Sequence, residues 1–229
     1  MSNLRNRLFL KSSLQGHIYY FGKRARARFY GKMFSRRLMN AIFLDIDGTI
    51  WPDNGHGSLL KEFVLDSNTK RSILEMRKYF DFVILVTNQT LFARMSSVKS
   101  EDLELYFQNI RSLQEQLKFD LFLACHHHIN AQNVALHSSC DFRKPGIKMF
   151  LNSRDILGLE LRDCATIGDR LTDIISSTDA GILDNFLLAN TRALEINEGE
   201  KTFRNEGYVF RLCSSLEDIR DLLNLKSHA

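Results

Sequence analysis

The residues best suited to chemistry lie in one short stretch, Ala41-Ile-Phe-Leu-Asp45-Ile-Asp47-Gly48-Thr49-Ile50. Its four apolar leading residues, Ala41 to Leu44, predict a strand buried inside a parallel sheet. Two carboxylates follow, separated by one residue, and Gly48-Thr49 then allows a sharp turn. In open α/β sheets, ligands bind beyond the carboxyl ends of the strands, which is where these acids fall. A carboxylate exposed there, Asp45, can attack phosphorus and form an aspartyl-phosphate. A second acid two residues on, Asp47, can protonate the leaving oxygen and later activate water. An Asp-rich turn without chemistry is the plainer alternative.

Three further polar signals follow predicted strands. Thr87-Asn88 offers a hydroxyl and an amide to phosphate oxygens. Lys144-Pro145-Gly146 offers a fixed cation and a turn ahead of a helix. Gly168-Asp169-Arg170-Leu-Thr-Asp173 offers carboxylates that, with Asp45, suit Mg²⁺, an ion that prefers carboxylates, waters and phosphate oxygens. Each alone reads equally as a turn, a helix start or a cap. Their order, each after a strand, is the specific signal.

The elements that must position these residues are legible as alternating patterns. Strands are predicted at Ala41–Leu44, Asp81–Val86, Leu121–Cys125, Cys164–Ile167 and Phe186–Ala189, with a sixth at Tyr208–Phe210. Helices are predicted over 67–79, with Ser67 or Asn68 as cap, and through Leu103, Phe107, Ile110, Gln114 and Leu117. Others fall at 146–157, at 171–180 and from a Ser215 cap to about Leu225. Strands alternating with helices predict an α/β fold with a doubly wound parallel sheet. Only about 40 residues separate the first two motifs, so no large cap domain is expected.

Composition limits the class. The chain has 229 residues, 44% hydrophobic and 25% charged, as a globular domain does. No apolar run approaches the roughly 18 residues that a membrane span needs. Four cysteines are too sparse for a disulfide scaffold, which predicts free thiols in a reducing, cytoplasmic setting. Of 31 Lys and Arg, ten fall in residues 1–40 with no acid, leaving 21 basic and 27 acidic residues after them. The chain is therefore expected to divide into a basic extension, 1–40, and a catalytic domain, 41–229. Tyr30, Met33, Phe34 and Leu38 of the extension fall at helical spacing. Such an arm suits an anionic partner, lipid or nucleic acid, or a transit peptide, or packs as a solvated segment on the acidic body.

Taken together, Asp45-Ile-Asp47-Gly-Thr49, Thr87-Asn88, Lys144-Pro and Gly168-Asp169-x-x-x-Asp173 resemble the four motifs of the haloacid dehalogenase (HAD) superfamily of phosphohydrolases. Phe-Leu-Asp-x-Asp-Gly-Thr, Thr-Asn-Gln89, Arg143-Lys144-Pro and a preceding Cys-x-His loop resemble its histidinol-phosphatase and heptose-bisphosphate phosphatase branch. The resemblance implies a nucleophile at Asp45, a general acid/base at Asp47 and phosphate ligands at Thr87 and Lys144. It implies Mg²⁺ held by Asp45, the Asp47 carbonyl and Asp169. By position, Asn88, Arg143, Asp53 and His56 would touch the leaving group of a small phosphorylated substrate, a sugar phosphate or bisphosphate.

The departures are local. That branch carries a zinc loop of the form Cys-x-His…Cys-x-Cys, and here Phe142 stands at the last position. Cys125, His127 and Cys140 remain as Zn²⁺ ligands, against the four of a closed structural site. His126, His128, His137 or Asp141 could supply a fourth, or the loop is metal-free. Thr90-Leu91 replace the small residue and glycine usual after Thr-Asn-Gln. Rival readings are a phosphatase of nucleic-acid ends, which the basic arm would favour, and a non-catalytic phosphate-binding member, which the intact acids disfavour.

Overall fold

The computed structural model describes residues 17–22, 25, 38–51, 64–189 and 207–226. Its elements run β1 (His17–Phe21), β2 (Ala41–Leu44), α1 (Ser67–Met76), β3 (Phe82–Asn88), α2 (Ser100–Leu117) and β4 (Leu121–Cys125). They continue as α3 (Lys148–Leu157), β5 (Ala165–Gly168), α4 (Leu171–Asp179), β6 (Asp184–Leu188), β7 (Arg211–Cys213) and α5 (Leu216–Lys226). The sheet order is β1-β4-β3-β2-β5-β6-β7. Six strands are parallel, and β1 joins the edge antiparallel to β4.

From β2 the chain steps outward to β3 and β4, then returns to β5 on the other side of β2 and steps out through β6 to β7. The direction of winding thus reverses between β2 and β5, the place where such sheets open a ligand crevice. Both faces are covered, as a parallel sheet requires. Ile42, Leu44, Val83 and Leu85 pack with Ile73 and Met76 of α1, Tyr106, Ile110, Leu113 and Leu117 of α2 and Ile219 of α5. Their alternates Ala41, Phe43, Phe82 and Ile84 pack with Met149, Phe150 and Leu157 of α3 on the opposite face. Every residue of β2 is fully buried, so its continuous apolar run is explained by two covered faces.

Several expectations shift. Asp66, rather than Ser67 or Asn68, caps α1, its carboxylate accepting from Thr69 N at 2.8 Å. The inward face of α2 runs through Tyr106, Ile110, Leu113 and Leu117, while Leu103 is partly exposed, because the apolar stripe begins one turn later. The last strand is Arg211–Cys213 rather than Tyr208–Phe210, set by its pairing with Phe186 to Leu188. Ser215 does cap α5, accepting from Asp218 N at 3.1 Å. Strand β1 was not legible in the sequence, and it lies inside the stretch read as an extension, so the sheet takes in part of residues 1–40. All ten basic residues of that stretch, and the amphipathic pattern from Tyr30 through Phe34, lie outside the described residues. Among the described residues only α1 separates β2 from β3, and no helix is long and apolar enough to cross a membrane.

Candidate active site

Asp45 leaves β2 at the reversal of winding, its N–H donating to Ile167 O of β5 at 3.0 Å. The chain turns at once: Gly48 N donates to Trp51 O at 2.6 Å and Thr49 N to Ile46 O at 3.1 Å. Gly48 has φ +87°, which favours glycine, and a Cβ there would collide with the Asp169 carboxylate. The glycine therefore lets the Asp45 turn approach the β5 turn. Gly168 does the same for Asp173, whose side chain would meet a Cβ at that position.

Lys144 reaches into this corner from the loop before α3. Its Nζ lies 2.8 Å from Asp45 Oδ1 and 2.5 Å from Asp173 Oδ1, and donates to Val86 O at 2.9 Å. The lysine is fixed at its backbone as well: Asn88 Nδ2 donates to Lys144 O and Lys144 N to Asn88 Oδ1, both at 2.9 Å. Burial alone would lower the pKa of this ammonium, but the Asp173 and Asp45 carboxylates prevail and raise it. Burial, reinforced by Asp45, raises that of Asp173 against the pull of Lys144.

Carboxylate oxygens of Asp45, Asp169 and Asp173 lie within 4.8 Å of one another, all three buried. One ammonium pairs with two of these three carboxylates, which leaves room by charge for a divalent cation. An oxygen-only donor set suits Mg²⁺. Asp47 is half-buried, and its carboxylate is not one of this group; the resemblance assigns the metal its backbone carbonyl instead. Gln89 Nε2 donates to Asp47 Oδ2 at 2.6 Å and to Thr87 Oγ1 at 3.1 Å, tying the turn after β2 to the end of β3. Buried Tyr106 lies near enough to feel the Asp47 charge; burial first, then that charge, raises the tyrosine pKa.

Arg143 is half-buried, donating to His127 O at 3.2 Å. Burial lowers its pKa, and the nearby guanidiniums of Arg170 and Arg94, both exposed, add to the effect against opposing Cys125. The three guanidiniums thus lie near enough to one another to interact by charge.

A second group gathers at the end of β4. Donor atoms of His17, Cys125, His127 and Cys140 lie within 4.8 Å of one another. Burial, with His127 and Lys148 nearby, lowers the His17 pKa to about 4, and burial raises the Cys125 thiol to about 12.

The fold thus brings together Asp45, Lys144, Asp169 and Asp173, links Asp47 to Thr87 through Gln89, and seats Arg143 beside them. Both side-chain polar atoms of Asn88 are taken up by the Lys144 backbone, so its observed contact positions the lysine. Asp53 and His56 lie outside the described residues. Sequence reasoning gave Gln89 no role and missed His17. Asp173 was visible within its motif, but only the fold gives it a partner in Lys144.

No family model matches the chain. It is 32% identical over 143 residues to the D-glycero-beta-D-manno-heptose-1,7-bisphosphate 7-phosphatase of Photorhabdus laumondii, a match covering 62% of this chain and 76% of that protein. The enzyme of the same name from Escherichia coli O6:H1 is 30% identical, with 62% and 75% covered. Among solved structures, one described as a HAD-like phosphatase from Mesorhizobium loti superposes with TM-score 0.64 at 21% identity, covering 92% of each chain. The D,D-heptose 1.7-bisphosphate phosphatase of B. bronchiseptica, complexed with magnesium and phosphate, superposes with TM-score 0.60 at 22% identity, covering 82% of this chain and 99% of that one. With the reversal-point aspartates and the buried lysine in place, these likenesses identify the chain: it belongs to the haloacid dehalogenase superfamily of phosphatases, in the branch of the heptose-bisphosphate phosphatases.

Proposed function

We propose that this chain is a Mg²⁺-dependent phosphomonoesterase that hydrolyses a sugar phosphate or bisphosphate through an aspartyl-phosphate at Asp45. The observation that carries the reading is the buried Lys144 ammonium, fixed between Asp45 and Asp173 where the sheet reverses. In the first half-reaction an Asp45 oxygen bonds to phosphorus as the phosphorus–ester oxygen bond breaks. Asp47, protonated at that stage, gives its proton to the departing oxygen. In the second, water adds to phosphorus, Asp47 takes its proton, and the bond to Asp45 breaks to release inorganic phosphate. Lys144 and Thr87 donate to the non-bridging oxygens. Asp45, Asp169 and Asp173 would hold Mg²⁺, which supplies further neutralisation of the phosphoryl charge. Gln89 keeps Asp47 aimed at the ester oxygen.

The substrate class is supported by the names of the relatives and by the mutually close charges of Arg143, Arg94 and Arg170, which suit a second phosphate group. The decisive experiment is Asp45→Asn, assayed with a panel of sugar mono- and bisphosphates in Mg²⁺. Turnover should vanish while the circular dichroism spectrum is unchanged, and the wild type should favour a bisphosphate in kcat/KM. More than a few per cent of residual turnover would sink the covalent mechanism. A preference for phosphorylated DNA ends would sink the substrate class.

A further inference from the structure

We infer that His17, Cys125, His127 and Cys140 form a four-ligand zinc site, in which an edge strand from the N-terminal stretch supplies the ligand that the Cys/His loop lacks. The local geometry follows from strand rules. Cys125 and His127 are two residues apart along extended chain, so their side chains leave on the same side. His17 is paired directly with Cys125 in the antiparallel β1–β4 ladder, which puts its imidazole on that same side. Cys140 is returned to the group by the loop after β4. There His128 N donates to Leu136 O at 3.0 Å, and Arg143 N donates to Cys140 O at 2.9 Å.

The distances suit one small ion. His17 Nε2 lies 3.0 Å from Cys140 Sγ, and Cys125 Sγ lies 3.7 Å from His127 Nδ1. These bracket the roughly 3.5 Å edge of a tetrahedron built on zinc–nitrogen and zinc–sulfur bonds. Two thiols and two imidazoles with no carboxylate favour zinc over Mg²⁺. Phe142 is buried with its ring 4.3 Å from the His17 ring, so it packs against the ligand instead of serving as one. His126 instead packs its ring near Tyr106 and Phe92, and Asp141 pairs with Lys148 at 3.0 Å. Neither belongs to the group, and nor do His128 and His137.

Zinc there would fasten β1 to the loop that carries Arg143 and Lys144. This inference does not rest on the phosphatase reading, because its readout is metal binding. The full chain, purified without a histidine tag, should hold one zinc per chain by elemental analysis. After exchange, Co²⁺ should give the intense visible bands of a tetrahedral site with two thiolates. Changes in the outer shell of a zinc site cost about 10–100-fold in affinity, so His17→Ala, which removes a ligand, should cost at least the upper figure. His17→Cys should restore stoichiometric metal and add a thiolate-to-Co²⁺ band, and His128→Asn should bind as the wild type does. A metal-free wild type from zinc-supplemented medium, a weak octahedral Co²⁺ spectrum, or unchanged zinc affinity in His17→Ala would each overturn the site. The Co²⁺ spectrum needs no variant, so a misfolded mutant leaves the test intact.

Discussion

The two groups of metal-competent side chains lie at the same end of the sheet, yet they are built from opposite chemistry. Asp45, Asp169 and Asp173 offer only hard oxygen donors, and two of them, Asp45 and Asp173, share a buried lysine. His17, Cys125, His127 and Cys140 offer only nitrogen and sulfur and have no such counter-ion among them. The first group rises from central strands at the reversal of winding, where a substrate can enter. The second sits at an edge, where strand β1 closes over β4. On the proposed reading, one sheet end would hold a reactive corner and a fastening corner, with donor softness keeping their metals apart.

Lys144→Met should break the comparison most sharply. It leaves the Asp45 and Asp173 carboxylates buried without their ammonium, and unpairing a buried ion group costs about 3–5 kcal/mol. Urea unfolding of the metal-free protein should show that loss, partly reversed by Mg²⁺. Turnover should fall about 10²–10³-fold, as when one preorganised charge-stabilising donor is removed. Zinc content should not change. If it falls in step with turnover, the two corners are one cooperative unit.

Gln89→Leu should have a smaller effect, confined to the reactive corner. A hydrogen bond to a charged group is worth about 1.5–3 kcal/mol, so kcat should fall roughly 10–100-fold. KM should move little, because Gln89 acts on Asp47 and not on phosphate. A raised KM at constant kcat would mean that Gln89 binds substrate.

The smallest effect is expected from removing residues 1–16, which precede β1. Zinc content and kcat should both be retained. Removal through Asn40 takes away His17 and the edge strand, and should lose the metal first. If deletion of 1–16 alone abolishes turnover on a small substrate, the basic stretch takes part in the chemistry.

Legible in the sequence alone was where the acids and the threonine fall along the chain. Asp45, Thr87 and Asp169 each directly follow or end an apolar strand, and strand-then-acid is a local pattern that survives without coordinates. The buried strands read correctly for the same reason, since continuous apolar runs follow from two covered faces. Helix boundaries were less legible: Asp66 outcompeted its neighbours as a cap only because its carboxylate reaches Thr69 N. The tertiary structure alone decided which groups share a proton or a charge. Gln89 was legible only as part of a motif, and its contact with Asp47 gives it a partner; Asp173 gains its lysine because the loop before α3 brings Lys144 to β3. His17 is the extreme case. It lies 123 residues from Cys140, in a short strand whose polar and aromatic residues carry no strong periodic signal. Only the antiparallel pairing with β4 brings it to the cysteines, and no short turn joins these two strands to fix their register locally.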